Sequence, residues 1–246
     1  MARARKRHLQ QPLFKPHGGK RAGAGRPKQG VRASERHKAR PKLRASEPVH
    51  VTVRVHPGVG RLRKHDMFLA VREATLCVAK YEDFRIVHLS IQGTHLHLIV
   101  EANDRLALAA GMQAFQISAA KQINRAISKR TRERRRGSVF TDRYHARIMR
   151  TPREVRNCIA YVLNNWRHHD EDQTRKTRVW DIDPYSSGIS FSGWKELDDA
   201  DRLPDPPSTY KPLLVWFPRS YLLSTLWRRH GLIRVHEVPG GNHDDP

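Results

Sequence analysis

Two apolar runs, FRIVHLSIQ (84–92) and THLHLIVEA (94–102), meet at one glycine, Gly93. Both have strand length and strand composition, and a join this short implies an antiparallel hairpin. Such a hairpin is not stable alone in water and needs helices or further strands to cover its apolar side. The flanking sequence supplies both. VHVTVRV (49–55) alternates as a half-buried strand does, and residues 65–81 place Phe68, Val71, Thr75 and Val78 at helical spacing. A long helix is predicted over roughly 104–130, with Leu108, Met112, Ala119, Ile123 and Ile127 as its inner stripe. Residues 139–150 read as a fourth strand, and 152–169 as a third helix opened by Pro152. The order β-α-β-β-α-β-α predicts an α+β fold. It is a ferredoxin-like split βαβ antiparallel sheet with its helices on one face.

Charge divides the chain. The net charge is +23 over 246 residues, and it is unevenly placed. Residues 1–48 hold 15 Lys/Arg against 2 Asp/Glu, residues 49–172 hold 22 against 12, and residues 173–246 hold 10 against 10. The excess over the first two thirds favours a polyanion as partner, and no basic amphipathic helix with bulky apolar anchors points to a membrane surface instead. Residues 1–48, rich in Arg, Lys, Gly, Pro and Ala, are expected to be a basic disordered tail. Within it, Gly25-Arg26-Pro27-Lys28 resembles an AT-hook, a basic element laid in an A·T-rich minor groove. A generic phosphate-binding tail explains Arg26 and Lys28 equally well. The predicted catalytic domain is 49–170, and 171–246 is a C-terminal extension with a Pro-rich linker (204–212) and a helix-like stretch near 221–233. Cys77 and Cys158, far apart and outside any CxxC spacing, read as small core residues in a reducing compartment. No apolar run is long enough to span a bilayer, and a cytoplasmic, nucleoid-associated, prokaryotic protein is expected.

Alternation on the second hairpin strand sends Leu96, Leu98 and Val100 to one side and His95, His97 and Ile99 to the other. Two imidazoles on one strand face are either incidental polar residues or two ligands of one ion. The third helix holds the next clue. Taking Tyr161 as zero at about 100° per residue, Asn157, Asn164, Asn165 and His168 all lie within about 60° of it, whereas Val155, Ile159, Val162 and Trp166 cluster on the opposite side. Tyr161 is thus displayed in a polar stripe, with Asn165 one turn further on.

A His-hydrophobe-His strand in a split βαβ sheet, followed by a helix with one tyrosine and an amide four residues later, resembles the HUH single-tyrosine transposases. YVLNNWRHH (161–169) is similar to the tyrosine helix of their REP-associated (RAYT) branch, with Trp166 where that branch commonly has proline. The resemblance covers about residues 49–170. It implies metal-dependent cleavage and strand transfer of single-stranded DNA with hairpin ends through a 5′-phosphotyrosine on Tyr161. It also implies His95, His97 and Asn165 as ligands of Mg²⁺ or Mn²⁺, a mixed nitrogen and oxygen set that suits either ion. The sequence leaves open whether the protein is a monomer or a homodimer. A non-catalytic nucleic-acid-binding protein that kept the fold is the alternative, and a phosphoesterase that releases a free 5′-phosphate is a third.

Affinity is expected from the block SKRTRERRRG (128–137), with Arg130, Arg132, Arg134, Arg135 and Arg136 as a phosphate track, and from Arg143 and Arg147. Tyr144, Trp166 and Phe140 are the candidates for stacking on a base, and Asp142 could face the same strand. Tyr144 and Tyr185 are the other candidate nucleophiles. Glu101 reads as the polar end of its strand or a distal ligand, and His145 and His168 as exposed polar residues.

Overall fold

Alternation decides how this sheet is built. Val49, Val51 and Val53 of β1 (Val49–Arg54) are fully buried on one face, while His50 and Thr52 turn to the other. After α1 (His65–Thr75) and a short 3₁₀ turn, β2 (Phe84–Ile91) and β3 (His95–Ala102) form the expected antiparallel hairpin. β3 also pairs antiparallel with β1, and β1 with β4 (His145–Ile148), giving the order β2-β3-β1-β4. The computed structural model describes residues 41–174, 177, 179–197, 203 and 205–238. The sheet and its helices are an α+β, ferredoxin-like split βαβ unit.

α1 and α2 (Arg105–Thr131) cover the valine face of the sheet. Leu108, Met112, Ala119, Ile123 and Ile127, the predicted stripe, all lie in this first core. Asp104 opens α2 by accepting from the backbone N–H groups of Leu106 and Ala107. Gly111 is required on its inner side, because a Cβ there would stand 2.1 Å from Cγ of Phe84. Leu43 is buried in the same core, so packed chain begins before the boundary at residue 48 that composition indicated. A single leucine in a basic stretch weighs little in composition, yet it is enough to dock the segment.

The third helix departs from the expectation of one helical layer. α3 (Pro152–His168) opens with a capping box between Thr151 and Glu154. It lies on the opposite face of the sheet, where Val155, Ile159, Val162 and Leu163 meet Val87 and Ile99. A register shift between Ile86 and His88 turns Val87 toward this second core, while Ile86 and Leu89 stay in the first.

Residues from 171 on are more tightly joined to the sheet than an appended module would be. Trp194, Trp227, Ile233 and Val235 complete the second core against α3. β2 is an edge strand, and the extension covers it: Ile91 N–H donates to Tyr185 O, Leu89 N–H to Ser187 Oγ and Trp216 N–H to Ile86 O. Asp183, fully buried, accepts two hydrogen bonds from Arg63 at 2.8 and 2.9 Å. Glu101, also buried, accepts from the backbone N–H of Arg219 and Ser220 and from Ser220 Oγ, just before the short helix α4 (Tyr221–Ser224). Among the described residues, no helix is long and apolar enough to cross a membrane.

Candidate active site

The same alternation that fills the first core lines up a polar cluster on the other face. β1 sends His50 and Thr52 there, β3 sends His95 and His97, and the register sets Thr52 opposite His97. α3 lies across this face and brings Tyr161 onto the cluster, its ring centroid 5.1 Å from that of His97 and 5.8 Å from that of His50. Nε2 of His95 and Nε2 of His97 approach to 2.9 Å. The predicted nucleophile and the two predicted imidazole ligands therefore converge.

Burial governs the protonation of this cluster. Desolvation, then the neighbouring His50, His95 and His169, lower His97 to about 2. Desolvation, then His169 and Arg54, lower His95 to about 4, and desolvation, His145 and Arg147 do the same for His50. All three rings are neutral at pH 7, the form in which imidazole binds metal. Burial, with a smaller contribution from Cys158, raises the Tyr161 phenol above its ordinary value.

Asn165 is the third residue of the expected ligand set. It is fully buried, and neither its Oδ1 nor its Nδ2 has a hydrogen-bond partner. An orphaned buried amide is costly and calls for a ligand. Asn165 lies one turn after Tyr161 and one turn before His169, and those two rings flank the histidine pair, His169 with its centroid 6.3 Å from that of His95. Two ligands about 2.1 Å from one octahedral ion stand about 3.0 Å apart, which matches the separation of the two Nε2 atoms. Among the described residues, no group of three His, Cys, Asp or Glu side chains forms a metal site. The two imidazoles, with the unpartnered Asn165 amide as a candidate oxygen donor, fit a divalent ion that takes mixed nitrogen and oxygen ligands.

A cavity of about 530 Å³ opens beside Tyr161, lined among others by His50, His97, Arg147, Arg156 and Asn157. Arg156 is held by Glu237 and by the carbonyl of Leu232. Arg147 lines the cavity, is 66% exposed and makes a long contact of 3.4 Å to Glu154.

Other expected contacts are redistributed. Arg143, Tyr144, Phe140 and Asp142 line a groove against α2, on the α1–α2 face and away from Tyr161. Tyr185 lies under Arg63 and against Phe68, also on that face, so neither alternative tyrosine meets the histidines. Trp166 is fully buried and offers no face to a base, and Glu101 anchors the extension in place of any ligand role. Asn164 donates to Arg234 O at 2.9 Å, so it leaves the polar stripe for a structural role. In the basic block, Arg130 pairs with Asp66, and Arg135 binds Asn124 and the Ser138 carbonyl. These two hold the fold, whereas Arg132, Arg134 and Arg136 are exposed. His145 and His168 are exposed as expected. Arg26 and Lys28 lie outside the described residues.

Sequence reasoning missed His50, Thr52 and His169. The alternation VHVTVR carried the signal for the first two, since it put both on the face opposite the valines. Nothing local marked that face as the one α3 would cover.

Residues 48–165 match the family described as Transposase IS200 like. No curated protein matches the chain. Among solved structures it is similar to a REP-associated tyrosine transposase bound to a REP hairpin, with 13% identity and a TM-score of 0.47, over 74% of this chain and 100% of that one. It is also similar to a bacterial tRNA(His) guanylyltransferase (Thg1)-like protein in complex with GTP, with 14% identity and a TM-score of 0.38, over 55% of this chain and 66% of that one. The likeness that counts is the matched sequence: residues 48–165, just under half of the chain, are similar to the IS200-like transposase family.

Proposed function

We propose that this protein cleaves single-stranded DNA bearing hairpin ends and transfers the strand through a covalent link to Tyr161. The observation that supports this best is the approach of His95 Nε2 and His97 Nε2 to 2.9 Å, with the Tyr161 ring edge-on to His97 at 5.1 Å between centroids. Oη of Tyr161 attacks the scissile phosphorus, and its proton passes through solvent to the leaving 3′ oxygen as the new P–O bond forms. The bond from phosphorus to the 3′ oxygen breaks, giving a 5′-phosphotyrosine and a free 3′-hydroxyl. A second 3′-hydroxyl attacking the same phosphorus reverses the step and reseals the strand elsewhere, without an external energy source.

His95, His97 and Asn165 would hold Mg²⁺ or Mn²⁺, which when bound would polarise the phosphate and offset charge on the leaving oxygen. Arg147 supplies a further positive charge to the cavity, and the neutral imidazoles keep the site free of competing protons at pH 7. Because burial raises the Tyr161 phenol, the free enzyme holds it protonated, and deprotonation belongs to the substrate complex.

The test is an incubation of the full chain with labelled hairpin-bearing single strands and either ion, followed by denaturing electrophoresis. A protein-linked strand that needs the ion and is lost in Tyr161→Phe and in His95→Ala is the expected result. Salt-sensitive binding without any adduct, unchanged in both variants, would replace this reading with that of a non-catalytic DNA-binding protein.

A further inference from the structure

Both nitrogens of the His97 ring have close neighbours. Nε2 faces Nε2 of His95, while Nδ1 lies 3.1 Å from Nε2 of His50 and 3.3 Å from Oγ1 of Thr52. A neutral imidazole carries one N–H, and its position decides which nitrogen can ligate. With the proton on Nε2, the ring has no lone pair to offer toward His95. With the proton on Nδ1, Nε2 is bare and aimed at the shared point. The proton stays on Nδ1 only if an acceptor waits there.

We propose that His50 is that acceptor, a positioning residue that fixes His97 in the Nδ1–H tautomer and so makes its Nε2 a metal ligand. The proposal rests on the reading of His95, His97 and Asn165 as a divalent-ion site. The shorter of the two contacts at Nδ1 is to His50, and the two ring planes lie within 27° of each other with centroids 5.2 Å apart, the edge-to-edge placing that an N–H···N bond needs. That bond also fixes the rotation of the His97 ring. Register explains the placement: Thr52 is directly opposite His97, and His50, two residues back on the same face, is its diagonal neighbour. For Nε2 of His50 to accept, the N–H of His50 must sit on its own Nδ1. His95 repeats the pattern, with its Nδ1 3.3 Å from Oγ1 of Thr94. Each ring of the pair thus has a polar partner on the nitrogen away from the shared point, the arrangement by which outer groups orient ligating histidines.

The test uses the full-length protein and Mn²⁺ alone, with free ion counted by electron paramagnetic resonance, in wild type, His50→Leu, His50→Gln and His97→Ala. Loss of an outer partner typically weakens metal binding about 10- to 100-fold. We expect a weakening in that range for His50→Leu and recovery to within about 3-fold in His50→Gln, whose amide oxygen can accept in place of Nε2. Nitrogen-15 spectra of the metal-free protein read the tautomer directly and guard against a variant that merely folds poorly. His97 should carry its proton on Nδ1 in wild type and His50→Gln. Unchanged Mn²⁺ affinity in His50→Leu, alongside loss in His97→Ala, would overturn the role of His50 and leave the metal site standing. Failure of His50→Gln to recover binding, or an Nε2-protonated His97 in wild type, would overturn it as well. Wild-type binding that His97→Ala does not alter would overturn the metal site itself.

Discussion

Asp183 is the residue whose loss should cost the fold most for its size. Its carboxylate is fully buried and accepts 2.8 and 2.9 Å bonds from Arg63, whose side chain is 3% exposed. It also accepts from the backbone N–H of Tyr185. Burial alone works against the Arg63 cation, and the charges of Asp183 and Glu171 more than reverse this, so the guanidinium is held above its usual value. Asp183→Ala removes the main partner and leaves that cation in the interior, a change that costs about 3–5 kcal/mol. At about 2–4 °C per kcal/mol for a domain of this size, Tm should fall by about 6–20 °C. Replacing both partners by apolar residues, Arg63→Met with Asp183→Leu, removes the stranded charge and should cost less than Asp183→Ala alone. Urea unfolding followed by tryptophan fluorescence measures wild type, Asp183→Ala, the singles Arg63→Met and Asp183→Leu, and the double variant, with Trp180 and Trp194 close by in sequence. A loss under about 1 kcal/mol in Asp183→Ala, or a double variant worse than the two singles combined, would refute the reasoning.

Four further outcomes are expected. Gly111→Ala forces a methyl against the Phe84 ring and should lower stability by about 1–3 kcal/mol in the same assay, with partial recovery on adding Phe84→Leu. His88 is buried and desolvation lowers it from 6.5 to about 4, so between those values the unfolded chain binds a proton that the folded one refuses. Its contribution is present above about pH 6.5 and is lost as pH falls, reaching about 3 kcal/mol near pH 4; His88→Met should flatten that part of the stability profile. Removing Arg132, Arg134 and Arg136 together should lower the slope of log affinity against log salt for single-stranded DNA by about 2, through roughly 0.7 per lost phosphate contact. Arg130→Ala should act mainly on stability, since its charge is engaged by Asp66.

Much of this was legible in the sequence because it depends on local period. Alternation in VHVTVR and THLHLIVEA fixed which residues share a face, and helical spacing in residues 104–130 gave the α2 stripe. The same arithmetic set Tyr161 apart from Val155, Ile159 and Val162. What the sequence concealed depends on non-local packing. Asn164 and Asn165 fall in one polar stripe by angle, yet the extension meets α3 on one side, so Asn164 binds Arg234 O while Asn165 stays unpartnered. Tyr144 looked as good a stacking residue as any, but it falls just before β4 and packs toward the α2 face. His50 was read only as a strand residue, since nothing within a few positions of it tells that His97 lies diagonally across β1 and β3.

The central claim is that Tyr161 is the nucleophile, and the chain offers a direct readout. Trypsin cuts after Arg156 and Arg167, releasing NCIAYVLNNWR, in which Tyr161 is the sole tyrosine. Protein incubated with hairpin-bearing single strands and Mn²⁺, then digested with nuclease and trypsin, should yield this peptide with a nucleotide mass on Tyr161. A nucleotide on the peptide of Tyr144 or Tyr185, or cleaved DNA with a free 5′-phosphate and no modified peptide, would contradict the account.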